Sequence, residues 1–283
     1  MRRIQRCSRC YIAVVFDLDA YVERVHLNGR PGLAEVHRAH VTSIPFENLD
    51  PHAGLSVSLE LEDLQRKLVG QRRGGYCFEQ NLLLKAALEV LGAHVEPLLA
   101  RVKFGAPPGI VRPRTHLVLC VEVDGQSWLA DAGFGLGTLP EPLPFGPGIA
   151  HELSGWRFRI VQDGFEHVLQ AESRSQWVDL YGFMPQPVPM SDIEVANWYT
   201  SAHPSSPFVT GLIVSTQRPD GTRIALSDRG QLALTEQTPA GAHVTPISRE
   251  EIPQLLDTRF GLPGFTLDRD GRVASATQPN RVR

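Results

Sequence analysis

The period of the hydrophobic pattern changes near Gly92, and this points to a fold in which a helical part comes first and a strand-rich part follows. Before that point apolar residues recur at helical spacing. Leu18, Tyr21, Val22 and Val25 follow Asp17 and Asp19, whose charges suit a helix start, and Gly29, Pro31 and Gly32 end the run. Leu33, Val36, His40 and Val41 predict a second helix; Leu61, Leu64, Leu68 and Val69 predict a third that stops by Gly70 or the Arg72-Arg73-Gly74-Gly75 turn. A fourth runs from Cys77 to Leu91, with Phe78, Leu82, Ala86 and Val90 along one side and Gly92 as its C-terminal cap.

Beyond Gly92, β-branched runs separated by turn residues predict strands over 95–104, 115–123, 126–131, 156–161, 168–171 and 176–180. Proline-rich stretches at 107–113, 140–147 and 185–189 read as long loops, because proline lacks the donor a central strand needs. The last part combines 208–217, a turn at Pro219-Asp220-Gly221, strands near 223–226 and 231–235, and a helix near Ser248. There Ser248 and Glu251 have capping-box spacing, and Ile247 and Ile252 are placed for a hydrophobic staple. The polar tail from Asp268 is expected to fray.

A chain of 283 residues can bury a core as one large domain or two to three compact sub-domains. Its apolar runs all fall short of the ~18 residues of a membrane span, and its net charge of -3 comes without a cluster of Lys and Arg. Neither a nucleic acid nor a membrane is expected as a partner. Cys7, Cys10, Cys77 and Cys120 are too few and too unevenly placed for a disulfide scaffold, which points to a reducing cytoplasm. The Arg-rich start meets only a short apolar stretch, Tyr11 to Phe16, before Asp17, so it does not read as a signal peptide. Cys7 and Cys10 could form half a zinc site, but no second pair accompanies them; residues 1–15 read as a disordered leader.

Arg73-Gly74-Gly75-Tyr76-Cys77 places a cysteine after a glycine turn and at the start of an apolar-faced helix. Free peptide N–H groups and the positive end of the helix dipole favour a thiolate there, which is the nucleophilic form. An isolated cysteine is more often a small buried hydrophobe, so a nucleophile needs a base beside it.

The segment Thr115 to Asp131 reads as a hairpin around Asp124-Gly125. If Val123 pairs with Gln126, Val118 faces Asp131, and alternation puts His116, Val118 and Asp131 on one face. His116 and Asp131 then become diagonal neighbours with Cβ atoms roughly 7 to 8 Å apart or less. Leu117, Leu119, Val121, Trp128 and Ala130 take the opposite, core-facing side. An Asp that accepts one imidazole N–H leaves the other nitrogen to take a proton from a thiol. A His and Asp on a hairpin can also be a satisfied surface pair, and Cys77 with His116 could be metal ligands, although no H-x-x-x-H or C-x-x-C companion accompanies them.

Ile44-Pro45-Phe46-Glu47-Asn48-Leu49, Arg73-Gly74-Gly75-Tyr76-Cys77-Phe78-Glu79-Gln80-Asn81, Thr115-His116-Leu117 and Asp131-Ala132-Gly133-Phe134-Gly135, in this order, resemble the signature of the arylamine N-acetyltransferases, especially actinobacterial ones. The likeness begins near Phe16, continues through the stretch from Ser201 to Leu212, and weakens towards Leu262. It implies an α+β fold: a helical bundle over 16–92 carrying the nucleophile, a central β-barrel over 93–203 carrying His and Asp, a C-terminal α/β lid over 204–267, and a flexible tail over 268–283. The catalytic core would be like that of cysteine proteases and transglutaminases.

The resemblance further implies that Cys77 is the nucleophile, His116 the base and Asp131 its orienter. Acetyl-CoA would acylate Cys77, and an arylamine, arylhydroxylamine or hydrazine would take the acetyl group. Phe46, Phe134 and Phe208 match acceptor-pocket positions; Thr115, Gly133, Phe134, Gly135, His203 and Phe208 match positions around CoA. Glu47 and Arg73 match a buried ion pair bracing the nucleophile loop, and no metal is implied. A papain-like or transglutaminase-like hydrolase would share the triad, although the three Phe argue against a long peptide groove. A CoA or aromatic-ligand binding module would leave Cys77 unreactive.

Overall fold

The computed structural model describes residues 15–29, 31–107 and 109–275. The segment read as a leader, with Cys7 and Cys10, lies outside the described residues except for Val15. Helix α1 (Leu18–Arg24) starts at Asp17, whose side chain accepts the Ala20 N–H at 3.0 Å. Helix α2 (Leu33–Ser43), the two-residue strand β1 (Phe46–Glu47) and a short helix α3 (Leu49–His52) follow. The third expected helix is α4 (Leu61–Leu64), continued by a π-helical segment, Gln65–Gly70. Helix α5 (Cys77–Val90) then opens on the cysteine itself, and Gly92 takes a left-handed φ of 96° just past its end.

The strands that follow are β2 (His94–Val102), β3 (Arg114–Val123), β4 (Gln126–Ala130), β5 (Leu143–Pro144), β6 (His151–Leu153), β7 (Trp156–Asp163), β8 (Glu166–Ser173) and β9 (Gln176–Phe183). They form one eight-stranded sheet in the order β5-β4-β3-β2-β9-β8-β7-β6. Its inner face gathers Leu98, Val118, Leu129, Leu143, Phe158, Leu169 and Tyr181 into one core cluster, so the sheet curls into a barrel whose end strands, β5 and β6, do not pair. Val123 faces Gln126 as the Asp-Gly turn predicts. The outer face carries Leu119, Val121 and Ala130 against α1, α2 and α5. Both faces are therefore apolar: the side that holds His116 is the barrel interior, not a polar side spared from the core.

Helix α6 (Met190–Ala202) was not foreseen in the strand-rich middle of the chain. Its buried face is Ile193 with four small or polar residues, Ala196, Asn197, Thr200 and Ser201, whereas Val195 and Trp198 point to solvent. The apolar periodicity that marks a helix is thus absent from the sequence, and packing alone fixes the element. Helix α7 (Pro207–Thr210) leads into strands β10 (Ile213–Gln217), β11 (Arg223–Ser227), β12 (Ala233–Thr238) and β13 (Gly241–Pro246). The second sheet runs β1-β10-β11-β12-β13, with Phe46 opposite Ser215, so Phe46 and Glu47 form the end strand of a C-terminal sheet.

Ser248 N–H is capped by Glu251 at 2.7 Å, a 3-10 turn follows, and helix α8 (Ile252–Phe260) covers this sheet with Ile252, Leu256 and Phe260. Strand β14 (Phe265–Leu267) then pairs with β15 (Val273–Ser275). Pairing thus continues past Asp268, where composition suggested fraying, because Val273 reaches the core with 3% of its surface exposed.

Candidate active site

Cys77 is the first residue of α5 and is buried, and the turn before it is held on every side. A Cβ on Gly74 would lie 2.1 Å from the Pro45 carbonyl, so only glycine lets the turn pass this close to the β1 backbone. Glu47 N–H bonds to the Gly75 carbonyl at 3.0 Å, and the Gln80 amide donates to the Pro45 carbonyl at 2.8 Å and the Gly75 carbonyl at 3.1 Å. Glu79 accepts the Tyr76 N–H at 3.1 Å and closes the helix start.

Beneath this turn lies a charge network larger than the expected Glu47 and Arg73 pair. Arg73 bonds Glu47 at 2.6 Å and Asp50 at 3.0 Å; Lys67 bonds Asp50 at 2.6 Å and Glu79 at 2.7 Å. Burial pushes the Glu79 carboxyl up to about 7 against the pull of Lys67. For Asp50 the two cations prevail over burial and hold it below the usual carboxylate range.

His116 and Asp131 meet inside the barrel, Nε2 to Oδ2 at 2.8 Å, with 3% and 0% of their surfaces exposed. Nδ1 is left free of the carboxylate, and the Cys77 thiol, whose Sγ lies 3.7 Å from the Thr115 carbonyl, is a neighbour that raises the ring's pKa. Burial disfavours the imidazolium, but the Asp131 charge and hydrogen bond, with Cys77 alongside, outweigh it and raise the His116 pKa to about 10. Asp131 is held below the usual range: burial opposes its charge, and His116, the Gly133 N–H and Asn81 stabilise it. The arrangement can take a proton from a thiol, hold the resulting charge pair, and return a proton to a leaving group.

Cys77, on α5, and Asp131, past the end of β4, are brought together by close backbone approach. A Cβ on Gly133 would lie 2.5 Å from Cys77 Cα and 3.0 Å from Asn81 Nδ2. Asn81 donates to the Leu117 carbonyl at 2.8 Å and to Asp131 Oδ1 at 3.1 Å, and accepts the Ala132 N–H at 2.9 Å. Gln80 and Asn81 stand three and four residues after Cys77, one helical turn along, a spacing that could have marked them as partners of the nucleophile turn. On α2, His37 Nε2 accepts the Asp131 N–H at 3.2 Å and His40 Nε2 bonds Gln80 at 2.8 Å. Neither histidine was assigned a role from sequence, and no local signal there marks one.

The other expected site residues divide. The Thr115 carbonyl lies 3.7 Å from Cys77 Sγ. Phe46 and Phe208 meet at 6.1 Å between ring centroids, and Phe208 lies 5.6 Å from Tyr76. Phe134 instead packs on His116 and Tyr181, each at 5.1 Å. The two groups adjoin at Gly135, where a Cβ would lie 3.7 Å from the Phe46 ring. Each glycine of the Gly133-to-Gly137 loop has an internal reason: Gly133 contacts Cys77, Gly135 has a φ of +75°, and a Cβ on Gly137 would lie 2.7 Å from the Phe134 ring. His203 stacks on Tyr199 at 4.5 Å and bonds Ser205 through Nδ1, so its ring and side-chain partners lie on α6 and in the α6–α7 connection and include none of the triad.

Comparisons with known proteins identify the family of the chain. A family model described as N-acetyltransferase matches residues 31–268. An arylamine N-acetyltransferase of Mycolicibacterium smegmatis is 40% identical over 88% of this chain and 93% of its own length. An arylamine N-acetyltransferase / N-hydroxyarylamine O-acetyltransferase of Salmonella typhimurium is 35% identical over 87% of this chain and 88% of its own. The structure of Mycobacterium marinum arylamine N-acetyltransferase in complex with CoA superposes with a TM-score of 0.83 at 36% identity, covering 87% of this chain and 93% of that one. With its helical bundle, curled sheet and C-terminal sheet around a buried Cys, His and Asp, this chain belongs to the arylamine N-acetyltransferase family.

Proposed function

We propose that this enzyme moves an acetyl group from acetyl-CoA to the nitrogen of an arylamine by way of a thioester on Cys77, with His116 as the base and Asp131 as its orienter. The observation that carries this reading is the buried His116–Asp131 pair held beside Cys77, whose Cα is approached by Gly133, at the start of α5.

The Cys77 sulfur attacks the acetyl carbonyl and its proton passes to His116; the CoA sulfur leaves and is reprotonated by the imidazolium. In the second half the amine nitrogen attacks the acyl-enzyme, gives its proton to His116, and the Cys77 sulfur leaves. Amide formation from a thioester is downhill, so the second half drives the exchange. The aromatic walls at Phe46, Phe134 and Phe208 suit a flat acceptor, whether an arylamine, an arylhydroxylamine or a hydrazine on an aromatic ring. Thr115, Gly133, Phe134, Gly135, His203 and Phe208 would contact CoA, with the main chain of Thr115 nearest the thioester.

No helix among the described residues is long and apolar enough to cross a membrane. The free thiol of Cys77 suits a reducing cytoplasm, and the reaction needs neither nucleic acid nor membrane.

The test is intact-mass measurement after incubation with acetyl-CoA alone, beside Cys77→Ser. One added acetyl group, absent in the variant and discharged by anisidine or a hydrazide, is expected. No adduct, together with slow alkylation of Cys77 by iodoacetamide, would overturn the mechanism.

A further inference from the structure

We infer that α2 is a positioning element for the triad: two neutral histidines one turn apart, His37 and His40, hold the turn of the acid and the turn of the nucleophile at a fixed separation. The inference rests on the triad assignment above and concerns residues that touch neither acyl donor nor amine.

Asp131 follows the last residue of β4, where the β3–β4 ladder ends at Leu119 and Ala130. Its N–H is therefore a buried donor without a strand partner, and such a group needs an acceptor. His37 Nε2 supplies it at 3.2 Å. A ring nitrogen accepts only when it carries no proton, so His37 must be neutral with its hydrogen on Nδ1, which points to the Pro140 carbonyl at 3.4 Å. The ring is wholly buried. Burial pushes its pKa down to about 4 despite the neighbouring Asp131 charge.

His40 carries the opposite tautomer. Gln80 spends its amide N–H groups on the Pro45 and Gly75 carbonyls, so its Oε1 accepts, and His40 Nε2 must donate to it at 2.8 Å. Nδ1 of His40 then accepts from the Tyr21 hydroxyl at 2.9 Å. Both rings are completely buried, and each proton position is dictated by the partner on the far side.

One helix face thus reaches the main chain of Asp131 directly and the turn before Cys77 through Gln80. Gly133 and Cys77 are in backbone contact, so a slip of either turn is felt at the other. Direct contact of His37 with the reacting atoms is not required: it fixes where the Asp131 carboxylate stands, and through it the imidazole.

The first measurement is histidine nitrogen NMR on the intact wild-type protein. Between pH 6 and 8, His37 is expected as the neutral Nδ1–H form and His40 as the neutral Nε2–H form. A charged His37, or one with its proton on Nε2, would overturn the inference with no variant needed.

The second compares His37→Leu with His37→Gln, whose Oε1 can take the place of Nε2. The readouts are acetyl transfer and the pH dependence of Cys77 alkylation by iodoacetamide. His37→Leu is expected to lose about ten- to a hundredfold in kcat/KM and to move the alkylation curve up by about one pH unit, and His37→Gln to restore most of both. A purely structural role would lower the melting temperature of His37→Leu and leave the alkylation curve of the folded protein in place, which would also overturn the inference. Wild-type alkylation without acetyl transfer would instead count against the proposed reaction.

Discussion

Gly133→Ala tests the idea that backbone contact, not only side-chain bonding, builds this site. The added methyl carbon would start 2.5 Å from Cys77 Cα and 3.0 Å from Cys77 Cβ and Asn81 Nδ2. Carbon atoms pack at about 3.5 to 4.0 Å, so the Asp131 turn and the start of α5 must separate by about 1 Å. Neither side yields easily. The near atoms are backbone or the root of a buried side chain, and Asn81 is committed to the Leu117 carbonyl, Asp131 and Ala132 N–H. Overpacking of this kind costs about 1 to 3 kcal/mol in stability. A displacement of about 1 Å between nucleophile and base is expected to cost about a hundredfold in the acylation rate, or about 2.7 kcal/mol of barrier. The assay is the rate of acetyl-enzyme formation followed by rapid quench and intact mass, with a melting curve for each protein. Gly148→Ala is the control, since a Cβ there meets nothing within 4 Å. A folded Gly133→Ala enzyme that acylates within twofold of wild type would refute the argument.

Arg73→Met should destabilise the protein by about 3 to 5 kcal/mol in urea unfolding, because it strips the buried Glu47 of its cation partner while Lys67 remains with Asp50 and Glu79. A loss below about 1 kcal/mol would show that the charge network is dispensable. Stability should also be greatest near neutral pH. His37 and His40 are held neutral with pKa values near 4 and 3 against an ordinary 6.5, so the unfolded chain binds protons first and stability falls as pH drops from 6.5 towards 4 and 3. For His37 alone this amounts to about 3 kcal/mol. Glu79, raised to about 7, acts in the opposite sense between 4.5 and 7 and only partly offsets the two histidines. His116 is raised to about 10, so its contribution is complete below 6.5 and is lost as pH climbs from 6.5 to 10. Melting temperature measured from pH 4 to 10 checks both limbs, and a curve that rises steadily on either side of neutrality contradicts the assignment on that side.

Features set by short-range chemistry were legible in the sequence. Asp17 and Asp19 at a helix start, Asp124-Gly125 as a two-residue turn and the Ser248–Glu251 spacing each act within a few residues, and the structure contains α1, the β3–β4 register and the turn into α8. The hairpin register put His116 and Asp131 on one face before any tertiary contact was considered. Other features depended on partners distant in the chain. Helix α6 buries Asn197 and Thr200 and exposes Trp198, so its own residues do not reveal which face is inside. Strand β1 joins β10 more than 160 residues later, and no local pattern encodes that pairing. His37 and His40 became part of the site only when α2 was laid between the ends of α5 and β4. The sequence by itself determined which residue types were on offer, a cysteine at a helix start and a His and Asp on one hairpin face, because residue type and local spacing suffice for that. The tertiary structure alone decided their approach and the buried neutral histidines that hold it, because burial and long-range contact are properties of the packed chain.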